Sequence, residues 1–208
     1  CFENTHNGAG GMVTSLANLR AMAEFARGTL QLPIHLDGAR LWNASAATGT
    51  ALADFAACAD TVMVSFSKGL GAPVGAALAG SAAHIDEAFY ARKRFGGGMR
   101  QSGILAAAAL HGLDHHLGRL GEDHANAARL ATIVADGVPD VQVVPPDTNI
   151  VMIDLPSRID ATTVQSRAKA QGVLVSPWND ARIRAVCHLD ASREQVEQAA
   201  RTLVAALA

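Results

Sequence analysis

What most constrains this chain is an alternation. Short apolar runs, each closed by turn-forming residues, are separated by stretches whose apolar positions recur at helical spacing. Runs at residues 32–36, 61–65 and 76–79 are too short for stable helices and read as strands, so the first half predicts a sheet covered by helices. A helix is expected over 14–28, capped by Thr14 or Ser15, with Leu16, Leu19, Met22, Ala23 and Ala26 on one face and Gly28 at its end. Further helices are expected over 40–48, 51–57 and 83–94. Lys68-Gly69-Leu70-Gly71 forms a tight loop. After Gly96-Gly97-Gly98 an Ala-rich helical stretch runs over 102–136, interrupted near 118–121. Beyond Pro139 the pattern becomes α+β, with strands at 140–144, 149–155, 173–176 and 182–187 and helices at 160–171 and 192–207. Two domains are expected, 1–136 with the bridging helix and 137–208.

Composition narrows the function classes. Half the residues are hydrophobic and 17% are charged, enough apolar material for a sizeable core. Seventeen Lys plus Arg against 19 Asp plus Glu, a net charge of -2, argue against nucleic acid as a partner. Charge breaks every apolar stretch before the ~18 residues a bilayer crossing needs, so no membrane partner is expected. Cys1, Cys58 and Cys187 fit no metal spacing and read as buried thiols of a cytoplasmic protein. The opening Cys1-Phe2-Glu3, without Met and inside an expected strand, suggests further chain upstream.

Two constellations can carry chemistry. In HLDGAR (35–40), Asp37 stands just past an apolar strand and Arg40 opens the next helix. The carboxyl edge of a sheet is where open α/β folds bind ligands; alone, Asp37 could merely cap the helix and pair with Arg40. The second constellation shifts that balance. Lys occurs only at 68, 93 and 169, and Lys68 follows an apolar strand directly, among Ser65, Ser67 and closely spaced glycines. Glycines let a planar ligand approach the backbone, and a partly desolvated Lys becomes a usable amine nucleophile. A carboxylate and a lysine at neighbouring strand ends are what pyridoxal 5'-phosphate chemistry requires, one partnering the pyridine nitrogen and the other forming the Schiff base. Lys68 could otherwise be an ordinary surface residue.

Together ENTHN (3–7), HLDGAR (35–40), SKGLGAPVG (67–75), RKRFGGGMRQSG (92–103) and HLDASREQ (188–195) give the sequence a family likeness. It resembles the low-specificity L-threonine aldolases, pyridoxal phosphate enzymes of the aspartate aminotransferase-like group. That resemblance implies an α/β fold with a helix-covered, mainly parallel sheet as a partial large domain, followed by a small α+β domain. It implies Lys68 as the Schiff-base lysine, Asp37 as partner of the pyridine nitrogen and Arg100 as a phosphate ligand delivered across a dimer interface. Arg40 and Arg184 would grip the substrate α-carboxylate, where planar guanidinium groups fit better than ammonium. Arg182, two residues earlier on the same face, is the alternative to Arg184. Lys93 would stand at the site mouth, or merely belong to the Arg92-Lys93-Arg94 cluster. His6 and Asn4 would lie near the cofactor ring. The pair His111 and His115 lacks the company of a metal motif.

The implied activity is cleavage of L-threonine and related β-hydroxy-α-amino acids, a small-molecule substrate class, to glycine and an aldehyde. A homo-oligomer built as a dimer of dimers is implied as well. Family members are longer by roughly a lobe at the amino end. The chain is therefore expected to be a carboxyl-terminal portion that catalyses poorly alone. Other expectations remain: β-elimination or transamination on the same fold, whose Asp and Lys are shared, or a non-catalytic subunit.

Overall fold

The computed structural model describes all 208 residues. They form two compact units, one of residues 1–5 and 13–120, the other of residues 6–12 and 121–208.

The first unit holds a four-stranded sheet in the order β1 (Phe2–Glu3), β2 (His35–Gly38), β3 (Thr61–Ser65), β4 (Ala76–Gly80). β1, β2 and β3 are parallel, and β4 runs antiparallel to β3. Helix α1 (Leu16–Glu24) starts on the Ser15 hydroxyl, which accepts from Asn18 N at 3.2 Å, and continues as a π-turn over Phe25–Thr29. Leu19 and Ala23 of α1 pack on Leu36 and Val62 with Leu41 and Ala44 of α2 (Leu41–Thr48) and Phe55 of α3 (Leu52–Ala56). Helices α4 (Ala82–Arg94) and α5 (Gly103–His115) follow, then a 3-10 turn over Leu117–Arg119.

β2 begins at His35, later than its apolar run suggested. Pro33 has no N–H to give a ladder, and Ile34 N donates to the Asp60 carboxylate at 2.7 Å. That bond is the main reason the Asp60 carboxyl sits below its ordinary range, with Arg27 adding to it.

The second unit holds α6 (Leu120–Gly137) and an antiparallel sheet of β5 (Gln142–Val144), β6 (Ile150–Asp154), β8 (Arg182–Val186) and β7 (Ser176–Asn179), in that order. Helices α7 (Ala161–Ala170) and α8 (Arg193–Leu207) cover it. α8 opens with a capping box, Ser192 accepting from Gln195 N while the Gln195 side chain accepts from Ser192 N. Val151, Ile153, Ile183, Val164 and Leu203 meet Leu130 and Val134 of α6 in one core.

The boundary therefore falls at 120/121 and not at 136. The apolar face of α6 belongs to the second core. Residues 6–12 join it too, because the buried Thr148 hydroxyl donates to Gly11 O at 2.7 Å and Gly10 lies against Met152. β7 also starts three residues later than expected: Val173 N closes α7 on Ala168 O. Its Pro177 is tolerated on an edge strand. Among the cysteines, Cys58 and Cys187 are buried but Cys1 is exposed, and all three are free. Burial pushes the Cys187 thiol up to about 12. No helix is long and apolar enough to cross a membrane.

Candidate active site

In the first unit, parallel pairing sets Asp37 of β2 opposite Met63 of β3. β3 ends at Ser65, three residues before Lys68. Asp37 and Lys68 thus emerge at the same carboxyl edge from adjacent parallel strands. Asp37 does not cap α2, which starts at Arg40 without a side-chain cap; its Oδ1 accepts from Ala39 N at 3.0 Å. That short turn orients the carboxylate and leaves Oδ2 capacity to accept more. Gly38 is required next to it, since a Cβ would stand 2.5 Å from Met63 O. Arg40 is buried, 8% exposed, at the first turn of α2.

The Lys68 loop is held by its backbone. Gly71 N donates to Lys68 O at 2.9 Å, Ala72 N to Phe66 O at 3.0 Å and Phe66 N to Gly75 O at 3.0 Å. Trp42 Nε1 donates to Ser65 O at 2.9 Å, and the Ser65 and Ser67 hydroxyls lie 3.3 Å apart. Leu70 is fully buried while Lys68 is exposed, so the loop is anchored by an apolar plug two residues after the lysine.

In the second unit, Arg182 and Arg184 share a face of β8, alternating with buried Ile183 and Ala185. Their engagements differ. Arg182 makes a two-pronged ion pair with Asp154 of β6, including Nη2 to Oδ2 at 2.8 Å. Arg184 Nη1 donates to Asn7 Oδ1 at 2.9 Å, and the guanidinium lies 5.7 Å from the Trp178 ring centre. Its Nε is buried without a partner. A buried charged donor without an acceptor is costly, whereas both prongs of Arg182 are spent on Asp154.

Residues 1–157 match the model of the beta-eliminating lyase family. The chain belongs to this family. It is 40% identical over 199 residues to the low specificity L-threonine aldolase of Escherichia coli K12, covering 96% of this chain and 57% of that protein. Against low-specificity L-threonine aldolase 1 of Arabidopsis thaliana it is 39% identical over 195 residues, 90% of this chain and 53% of that one. The chain thus spans about half the length of the curated relatives it matches. Solved structures share the fold: threonine aldolase of Leishmania major has a TM-score of 0.69 at 20% identity, over 99% of this chain and 60% of that one. An α-aminoadipate aminotransferase of Thermus thermophilus, complexed with N-(5'-phosphopyridoxyl)-L-leucine, reaches 0.71 at 20%, over 95% and 55%.

Other residues singled out in this beta-eliminating lyase family chain sit elsewhere. Lys93 and Arg100 are exposed, one on α4 with its stem packed along Gly98, the other in the loop before α5. Asn4 is fully buried and spends its amide on the Thr14 backbone, accepting from N at 3.1 Å and donating to O at 3.0 Å. Its own N–H donates to Asp37 O at 3.0 Å, so Asn4 holds the Asp37 backbone. His6 belongs to the second unit and caps a 3-10 turn, accepting from Ala9 N at 3.0 Å. Asn7 and Trp178 were missed in the sequence. Asn7 stands inside ENTHN, but nothing local marks it as the partner of an arginine 177 residues away. No cluster of three or more His, Cys, Asp or Glu side chains is placed to hold a metal ion.

Proposed function

We propose that this chain carries part of the site of a pyridoxal 5'-phosphate-dependent aldehyde-lyase that splits L-threonine and related β-hydroxy-α-amino acids into glycine and an aldehyde. One observation carries the reading: a carboxylate and an exposed amine leave the carboxyl ends of adjacent parallel strands. The residues present suit that cofactor. Asp37 is an oriented acceptor for a protonated ring nitrogen and Lys68 an amine on a short fixed loop, while Gly38 and Gly69 let that edge pack closely against Met63 and Leu120. Bound pyridoxal phosphate supplies an electron sink for the bond-breaking carbon.

The protein's own part is positioning and charge. Asp37 would hold the ring nitrogen and favour its protonated form by charge. Lys68 would hold the cofactor through its amine. Arg40 and Arg184 are assigned to the substrate α-carboxylate, with Asn7 and Trp178 orienting Arg184. Arg100 is assigned to the cofactor phosphate and Lys93 to the mouth of the site. A cytoplasmic homo-oligomer, a dimer of dimers, completes the proposal. The free cysteines support the compartment, and the assembly is what the resemblance to threonine aldolases implies.

The family's description favours β-elimination as the second reading. Incubating the cofactor-loaded full-length protein with L-threonine separates the two. Glycine and acetaldehyde in equal amounts are expected; 2-oxobutanoate and ammonia instead would replace the aldolase assignment with elimination.

A further inference from the structure

The Lys68 loop is clamped from a helix more than forty residues downstream. His116, just past α5, has Nδ1 2.8 Å from Leu70 O. A carbonyl oxygen only accepts, so the proton of that bond resides on Nδ1. The same peptide unit points its N–H the other way, where Gly71 N donates to Lys68 O at 2.9 Å. Because a peptide is planar and stiff, fixing its oxygen fixes its N–H. His116 therefore acts through one rigid plane on the carbonyl of Lys68 itself.

The approach is prepared by Gly112, one turn earlier on α5. A Cβ there would stand 2.6 Å from Leu70 O and 3.2 Å from Leu70 Cβ, so only glycine lets the helix come this close. The His116 ring is seated in turn by His111, whose ring meets it edge to face at 5.1 Å. Leu70 itself is fully buried.

We infer that His116 is a positioning residue for Lys68, holding the Leu70–Gly71 peptide so that the lysine backbone is preset for cofactor attachment. This rests on the reading of Lys68 as the cofactor lysine. It adds a residue whose role neither the ring chemistry nor substrate recognition requires.

The test compares His116→Phe, which keeps a ring but loses the donor, with His116→Asn, whose amide nitrogen can replace Nδ1. Two quantities are followed in the full-length protein: amide exchange in residues 66–75 relative to α6, and the rate at which added pyridoxal phosphate acquires the visible absorbance of the lysine-bound form. Losing one hydrogen bond should speed exchange in 66–75 about fivefold to tenfold in His116→Phe, with α6 unchanged, and slow attachment by a similar factor. His116→Asn should restore both to within about twofold of the unsubstituted protein. Exchange unchanged in His116→Phe, exchange raised equally in α6, or faster exchange with attachment unaltered would each overturn the clamp. If the unsubstituted protein carried no pyridoxyl label on Lys68 after borohydride, the cofactor reading would fall, and with it this role for His116. A label there with no exchange effect would remove the clamp alone.

Discussion

The two sheets achieve order by different means. In the second unit β6 buries four of its five residues, Ile150 to Ile153, and α6, α7 and α8 share one apolar core. In the first unit every residue of β4 is exposed and α4 buries none. Val74, Leu78, Phe89, Met99 and Leu110 stay in solvent, and a cavity of about 670 Å3 opens among Phe66, Val74, Met99, Leu105 and Leu113. The residues assigned to the cofactor lie in this less buried unit. There the loop of Lys68 is fixed by directed hydrogen bonds from Trp42, Gly71 and His116 together with one buried plug, Leu70. The lesson is that a site can be rigid where its sheet is not fully covered, provided its backbone groups are individually satisfied.

The largest effect should come from chemistry placed in the first unit. Asp37→Asn keeps size and the turn to Ala39 but removes the negative charge, and turnover of the full-length enzyme should fall on the order of a thousandfold. Near-normal turnover would reduce Asp37 to a loop residue. Packing gives the next effect and breaks the comparison if it fails. Leu203→Ala in the second core should cost about 3 kcal/mol in denaturant unfolding, whereas Leu78→Ala, 42% exposed on β4, should stay within about 0.5 kcal/mol. Equal losses would mean that β4 is covered in solution.

Arg184→Lys retains charge but loses the planar fork, and KM for threonine should rise about tenfold with cofactor absorbance intact. An unchanged KM together with a large effect of Arg182→Lys would exchange their roles. The smallest effect concerns Asp60, which ties Ile34 to β3. Its carboxyl is held below its ordinary range in the folded protein. Its stabilisation is therefore present above the unfolded value of about 3.9 and is lost as pH falls through the lower folded value. Asp60→Asn should lower stability at pH 7, and the difference should shrink as pH falls below the unfolded value and vanish once it has passed the lower folded one. A difference that persisted in acid would show that charge is not the cause.

Much of the fold was legible because its signals are local. β3 is an apolar run between Asp60 and Ser67, and α8 announces itself through Ser192 and Gln195 three residues apart. Asp37 and Lys68 could be proposed as a pair because each stands at or just past the carboxyl end of an apolar run. Where the reading slipped, a distant group had intervened: Asp60 took the N–H of Ile34 and delayed β2, and the core of the second unit claimed α6 and moved the boundary. The bonds that orient the site were the hardest to see. Arg184 to Asn7 spans 177 residues and His116 to Leu70 spans 46, and neither leaves a period or motif behind.

The proposed function requires one particular amine, that of Lys68, to hold the cofactor. Borohydride reduction of the loaded full-length protein, followed by peptide mapping, reads this directly. The pyridoxyl group should be found on Lys68, in the segment Ser67-Lys68-Gly69-Leu70-Gly71. A pyridoxyl group on Lys93 or Lys169, or on none of the three lysines, would contradict it.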